Sequence, residues 1–99
     1  MCSDSGATAQ VETTVTVRYW AAARDATGVA QDTFAFTAAI TLADVVRRVL
    51  AVHPSPRVAQ VLDVCSILVG DQPVGTREPG QVSVPAGSAI EFLPPFAGG

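Results

Sequence analysis

The sequence predicts one α+β domain, in which a main helix crosses one face of a mixed sheet of four to five strands. Its 99 residues, 48% of them hydrophobic, suffice for one domain with a buried core. The segment VETTVTVRY (11–19) alternates apolar and polar residues with a period of two, which is typical of a half-buried strand. The segment TLADVVRRVLAVHP (41–54) has the spacing of an amphipathic helix. The other apolar runs are short, strand-like and separated by turns.

The first third of the chain is predicted to contain two strands. After residues 11–19, the segment WAAARDATG (20–28) favours a loop or one helical turn that ends at a glycine. A second strand is expected in QDTFAFTA (31–38), where Phe34 and Phe36 share a face. The modest connection between the two strands indicates an antiparallel pair.

The main helix has both a start signal and a stop signal. Thr41 is suited to the N-cap position and Asp44 follows three residues later, which is a variant of the capping box. Pro54 disfavours a helical conformation at His53 and should end the helix there. The residues expected to cover the sheet are Leu42, Val45, Val46, Val49 and Leu50.

The second half of the chain is predicted to alternate short elements. A shorter helix is expected in SPRVAQVLDV (55–64), a buried strand in CSILVG (65–70) and the last strand in SAIEFL (88–93). Val82 and Val84 suit a brief strand between them. The order β-β-α-(α)-β-β-β resembles that of a β-grasp sheet, in which the first and last strands lie side by side at the centre.

Composition limits the classes of partner and compartment. The formal net charge is −3, and the six basic residues are arginines scattered along the chain, which disfavours nucleic acid or an anionic membrane as main partner. No secretory signal or membrane-spanning run is recognisable. We therefore expect a cytoplasmic protein with a flexible leader at 1–10, a folded domain at 11–93 and an extended tail at 94–99.

His53 and Cys65 are the side chains that invite a catalytic interpretation. A histidine in the last helical turn is favoured there by the helix dipole, so a capping role is preferred to catalysis. Cys65 has no base nearby in sequence to activate it and is predicted to be a small core residue. The cysteines lack metal-ligand spacing, and no metal site is expected. The carboxylates of Asp63 and Glu91 are expected to be solvated.

The sequence ends in LPPFAGG, and this tail is the strongest candidate for function. Pro94 and Pro95 favour an extended path, and Phe96 suits a pocket in a partner protein. Small residues after it would let a narrow channel close around the backbone and leave the Gly99 carboxylate at the tip. The predicted insertion path comprises Pro94, Pro95, Phe96, Ala97 and Gly98.

A carboxylate becomes reactive once it has attacked the α-phosphate of ATP and formed an acyl-adenylate, which a sulfur nucleophile or an amine can then attack. The sequence has neither a GxxxxGK[ST] loop nor a GxGxxG turn opening a helix. We therefore expect a carrier that other enzymes act upon, not an enzyme by itself.

Four segments together resemble a known family of sulfur carriers, which includes the small subunit of molybdopterin synthase and the thiamine-thiazole sulfur carrier. They are VRYWAAARDATG, TLADVVRRVLAVHP, CSILVGDQPV and IEFLPPFAGG, and the resemblance runs from about Val15 to Gly99. At two positions the sequence departs from the usual pattern: Trp20 replaces a phenylalanine and Asp25 a glutamate.

The resemblance implies a β-grasp fold related to ubiquitin and a role in molybdenum cofactor biosynthesis. An E1-like activating enzyme would adenylate Gly99, and a sulfur donor protein would supply the sulfur of a C-terminal thiocarboxylate. The tail would then enter the large subunit of molybdopterin synthase, in a heterotetramer, and donate sulfur to cyclic pyranopterin monophosphate. No cofactor is expected to be bound by this chain.

Three alternatives remain open on the sequence. The chain could be a ubiquitin-like modifier that forms isopeptide bonds with lysines, or a sulfur carrier for thiamine or cysteine synthesis. It could also be a plain interaction domain with an idle tail.

Overall fold

A mixed five-stranded sheet is the framework of the part of the chain that the computed structural model describes, residues 13–37 and 40–95. The predicted leader lies outside these residues. The strands are β1 (Thr13–Tyr19), β2 (Gln31–Phe36), β3 (Ile40–Thr41), β4 (Ser66–Val69), β5 (Gln72–Pro73), β6 (Ser83–Val84) and β7 (Ala89–Leu93). The helices are α1 (Ala21–Thr27), α2 (Leu42–Val52) and α3 (Pro56–Asp63), and a short 3-10 turn spans Pro79–Gln81.

The strand order of the main sheet is β2-β1-β7-β4-β5, so the first and last strands lie together near the centre, as predicted. β1 runs parallel to β7, with Tyr19 opposite Phe92, and the other neighbours in this sheet are antiparallel. β3 and β6 form a separate two-stranded antiparallel pair. The sequence indicated a brief strand around Val84 but not its partner β3, because two residues cannot display a period.

Helix α2 begins and ends where the sequence predicts. The backbone N–H of Asp44 donates to Thr41 Oγ1 at 3.3 Å, and the backbone N–H of Thr41 donates to Asp44 Oδ2 at 2.9 Å. These reciprocal bonds form a capping box, which satisfies two backbone donors that the first turn would otherwise leave unpaired. His53 occupies the C-cap position, directly before Pro54.

The apolar stripe of α2 is narrower in the structure than in the prediction. Leu42, Val45 and Val49 are completely buried against the sheet. Val46 and Leu50 are half-buried, because they lie on the flank of α2 that lines a groove toward α3 and β4. The five predicted residues therefore divide into a buried centre and a partly exposed margin.

Helix α1 is longer than the loop or single turn that we expected at residues 20–28. Its alanine-rich sequence favours a helix, and Ala23, on its inner side, is buried. The helix ends at Gly28, which adopts a left-handed conformation (φ 81°) and donates its N–H to the carbonyl of Arg24 at 2.8 Å. Strand β2, by contrast, is shorter than predicted and ends at Phe36.

The core lies between the main sheet and the helices. Its largest fully buried side chains include Tyr19, Phe92, Leu42 and Ile90. Val17 and Ile90 face each other across the β1–β7 pair, so the two central strands supply one continuous apolar surface. None of the helices in the described residues is both long and apolar enough to cross a membrane.

Candidate functional site

The C-terminal strand β7 positions the predicted tail. It is bonded to β1 on one side and to β4 on the other, with Leu93 opposite Ser66. Pro94 is half-buried and Pro95 is exposed. We call residues 92–95 the tail root; it leaves the sheet near its centre, where strands on both sides hold it. The remaining predicted site residues, Phe96, Ala97, Gly98 and Gly99, lie outside the described residues.

Trp20 makes one hydrogen bond to the tail root and a second to Glu91, the residue directly before it. Its backbone N–H donates to the carbonyl of Phe92 at 3.2 Å, and its indole Nε1 donates to Glu91 Oε1 at 2.9 Å. The indole nevertheless remains 46% exposed. The phenylalanine that the sulfur-carrier pattern favours here could not make the second bond. Glu91, expected to be merely solvated, is therefore an acceptor at the site.

Two arginines flank this tryptophan. Arg18, Trp20 and Arg24 line a shallow hollow of about 220 Å³ beside the tail root. Within residues 13–37 and 40–95, neither arginine makes an ion pair. The hollow thus combines positive charge with an exposed aromatic ring, which is a suitable combination for contact with a protein surface.

A hydrogen-bond network lies beneath the tail root. The Tyr19 hydroxyl donates to Asp32 Oδ2 at 2.8 Å, and His53 Nε2 lies 2.6 Å from the same oxygen. Tyr19 is only 2% exposed, and burial, followed by its hydrogen bond to Asp32, raises the pKa of its phenol far above the usual range. The phenol therefore stays protonated and acts as a hydrogen-bond donor.

The aromatic rings connect this network to the tail root. The ring of His53 meets the ring of Tyr19 edge-on, with centroids 5.9 Å apart, and Tyr19 stacks on Phe92 at 6.2 Å. The sequence correctly placed His53 at the end of α2, but it gave no signal for the contact with Asp32. The arrangement joins a helix end, β1, β2 and β7.

Cys65 has the properties of a packed residue, not of a nucleophile. It is half-buried, its Sγ donates to the carbonyl of Val61 at 3.2 Å, and burial raises its pKa to about 11. It lines a largely apolar groove of about 570 Å³ between α2, α3 and β4, together with Val46 and Leu50. A thiol with this pKa is almost fully protonated at neutral pH, so the structure supports no catalytic role for it.

Metal-binding geometry is not found in the described part of the chain. No group of three or more histidine, cysteine, aspartate or glutamate side chains converges there. The residues around the tail root hold the end of β7 in place and present a basic, aromatic surface next to it.

Comparisons with solved structures agree on the architecture. The SAMP1 protein of Haloferax volcanii, a small archaeal modifier protein, is similar with a TM-score of 0.72 and 17% identity, over 87% of this chain and 99% of its own. A putative molybdopterin converting factor subunit 1 from Pyrococcus furiosus has a TM-score of 0.69 and 16% identity, over 85% and 99% of the two chains. This chain has the β-grasp fold.

A third structure shows a domain of the same fold with a partner. It is the complex of subunits 1 and 2 of the molybdopterin-converting factor from Helicobacter pylori, similar with a TM-score of 0.54 and 23% identity, over 87% of this chain and 99% of that one. At these identities the similarity establishes the fold. No family model and no curated protein matches the sequence itself.

Proposed function

We propose that this chain is a β-grasp carrier that presents the carboxylate of Gly99 to partner enzymes, and that the group it carries is sulfur for molybdopterin synthesis. The single observation that supports this most strongly is the position of β7. The strand lies near the sheet centre, and the tail root leaves it between β1 and β4, followed in sequence by the small residues Gly98 and Gly99.

The proposed chemistry takes place in partners. In an E1-like enzyme, a Gly99 carboxylate oxygen attacks the α-phosphorus of ATP and pyrophosphate leaves. Hydrosulfide supplied by a donor protein would then attack the acyl carbon of Gly99; the bond to AMP breaks, AMP leaves, and loss of a proton gives the thiocarboxylate. In the large subunit of molybdopterin synthase, the thiocarboxylate sulfur passes to cyclic pyranopterin monophosphate. The two small and two large subunits would form a heterotetramer, and the complex from Helicobacter pylori supports a large-subunit partner by analogy.

The hollow beside Trp20 fits this proposal as a docking surface. A partner that receives the tail must also contact the surface from which the tail emerges. Arg18 and Arg24 would face acidic side chains of the partner, and the exposed part of the indole would be covered.

The second candidate function is covalent protein modification. The similarity to a small archaeal modifier protein supports it, because a modifier needs the same fold and the same activated carboxylate. The two functions differ in the nucleophile that attacks the adenylate: sulfur in a carrier, and a lysine amine in a modifier.

Mass spectrometry of the protein isolated from its native cell tests both functions. A sulfur carrier gives a peptide that ends at Gly99 with the mass change of an oxygen-to-sulfur exchange, and it co-purifies with a molybdopterin synthase large subunit. A modifier gives branched peptides in which Gly99 is joined to lysine. The proposal is wrong if Gly99 is not C-terminal in the mature protein, or if co-purified activating enzyme and ATP leave its carboxylate unmodified.

A further inference from the structure

Among residues 13–37 and 40–95, the main sheet has two edge strands, β2 and β5, which differ in their protection against further pairing. At one edge, β5 has only two residues, one of which is Pro73. Short edge strands and prolines discourage the addition of another strand. At the other edge, β2 has six residues and no proline. The β2 edge is therefore the one at which a further strand can pair.

The alternation of hydrogen bonds between β1 and β2 shows which backbone groups of β2 point away from β1. Tyr19 N–H donates to the carbonyl of Ala30 at 2.9 Å, and opposite residues in an antiparallel pair alternate between bonded and non-bonded. Asp32 and Phe34 therefore bond to β1. Gln31, Thr33 and Ala35 direct their N–H and C=O groups away from it, and all three residues are exposed.

Arg48 of α2 lies over one end of this edge. Its Nη1 is 3.5 Å from the carbonyl oxygen of Ala35, and its guanidinium is 4.5 Å from the ring centroid of Phe36 and 5.7 Å from that of Phe34. Arg48, Phe36 and Arg47 also line a hollow of about 350 Å³ alongside the strand. Arg47 is paired with Asp44, whereas Arg48 forms no ion pair with any described residue.

We propose that the β2 edge binds an extended, acidic segment of a partner protein by strand addition. The backbone groups of Gln31, Thr33 and Ala35 would form the new ladder, and Arg48 would turn from the carbonyl of Ala35 to an acidic side chain of the added strand. Alternate side chains of that strand would point to the helix side, near Arg48, and to the open face, near Ala35.

The charge of the edge favours this occupant over a second copy of the chain. Antiparallel pairing of two β2 strands would place the two Arg48 side chains at opposite ends of the ladder. Neither copy would offer the other's Arg48 an unused carboxylate, because Asp32 is already bonded to Tyr19 and His53. An acidic strand would neutralise Arg48 instead. A charged side chain over an edge also discourages indiscriminate pairing, and so restricts the edge to partners of opposite charge.

This surface is separate from the tail root. β2 is antiparallel to β1 and β1 is parallel to β7, so Phe36 and Arg48 lie at the end of the sheet opposite to Leu93. Gln31, at the other end of the edge, also lines the hollow beside Trp20, but β1 separates it from β7 and the tail root. The inference therefore does not depend on the proposed function of Gly99.

Peptide binding followed by NMR tests the proposal. The probe is a fluorescein-labelled heptapeptide, Glu-Val-Glu-Ile-Glu-Val-Glu, and its comparator has lysine in place of each glutamate. We expect the acidic peptide to bind at least about tenfold more tightly, as charge complementarity requires. Amide chemical shifts of labelled protein should change along 31–37 and at Arg48, and not at the tail root.

A matched pair of variants isolates strand addition from other modes of binding. Thr33→Pro removes an outward N–H that β1 does not use, and Thr33→Ala keeps that N–H while removing the same hydroxyl. Binding of the acidic peptide should be lost in the first variant and retained in the second. Arg48→Glu should weaken binding by about tenfold and raise affinity for the lysine peptide.

Three outcomes would overturn the proposal. These are failure of the acidic peptide to bind, chemical-shift changes away from the β2 edge, and equal binding by the two Thr33 variants. Self-association through this edge in sedimentation velocity would assign it to a second copy instead. Should Thr33→Pro not fold, the shift map of the unaltered protein and the Arg48→Glu charge reversal decide the matter.

Discussion

Trp20 and Glu91, 71 positions apart in the sequence, are joined by a 2.9 Å hydrogen bond from the indole N–H to the carboxylate. The bond links the residue that follows β1 to the middle of the central strand β7. Since Glu91 lies two residues before Leu93, the contact holds the chain next to the point where the tail departs. A phenylalanine, which is usual at position 20 in the sulfur carriers that the sequence resembles, could not form this bond.

Removing this bond should cost little stability. Trp20→Phe keeps an aromatic ring but no donor, and we expect it to lower the free energy of unfolding by about 0.5–1.5 kcal/mol. Urea denaturation measures the effect, and a double-mutant cycle with Glu91→Ala isolates the coupling between the two side chains. The control is Val64→Ala, since Val64 is 60% exposed. A Trp20→Phe effect no larger than the control would mean that the bond is not formed in solution.

Breaking the Tyr19–Asp32 hydrogen bond should cost more stability than breaking the bond between Trp20 and Glu91. Asp32→Ala leaves a buried phenol without its acceptor, and we expect a loss of about 1–3 kcal/mol in the free energy of unfolding. Tyr19→Phe removes the hydroxyl as well as the need for an acceptor, so combining it with Asp32→Ala should cost less than the two single changes added together. Strict additivity in chemical denaturation would contradict the hydrogen bond.

The local pattern of the sequence was sufficient to predict helix α2 and the longer strands, but not β3 or the full length of α1. Three features could be predicted because each depends on residues only a few positions apart. They are the alternation in 11–19, the apolar stripe of α2 and the Thr41–Asp44 cap. The contacts of Trp20 with Glu91 and of Asp32 with His53 join residues that only the folded sheet brings together. No local period marks these contacts, which is why Glu91 was expected only to be solvated and Asp32 was not singled out.

Asp44 should make the stability of the folded protein depend on pH in the acidic range. The backbone hydrogen bond from Thr41 is the largest cause that lowers the pKa of Asp44 below its ordinary value of 3.8, and the Arg47 charge lowers it further. A carboxyl with a depressed folded-state pKa contributes stability above the unfolded value and loses it as pH falls through the folded value. The difference in melting temperature between the native chain and Asp44→Ala should therefore be largest above pH 3.8 and shrink below it.

That difference would also depend on Thr41. In a Thr41→Ala background, which should itself cost about 1 kcal/mol of stability, the cap is already broken and Asp44→Ala should have a smaller effect. If the difference in melting temperature between the native chain and Asp44→Ala did not change with pH, the capping box would not depend on the charge of the carboxylate.

Two adjacent helix residues provide a test of the core boundary. Val45 is completely buried, whereas Val46 is half-buried at the groove margin. Val45→Asp should therefore abolish folding, because it places an unpaired charge in the core. Val46→Asp, at a position that the sequence predicted to cover the sheet, should instead leave a folded protein with a lower melting temperature. Circular dichroism melts compare the two, and equal losses would contradict the division of the stripe.

The last prediction concerns the tail and depends on the proposed function. Gly98→Val adds a β-branched side chain where a narrow partner channel would close around the backbone, and we expect transfer from Gly99 to be lost. Because the described core does not include this residue, the melting temperature should stay within about 2 °C of that of the native chain. The measurement pairs a thermal melt with ATP-dependent adenylation by the co-purified activating enzyme. Unchanged adenylation and sulfur transfer would favour an interaction domain with an idle tail, and a large drop in melting temperature would show that the tail is structural.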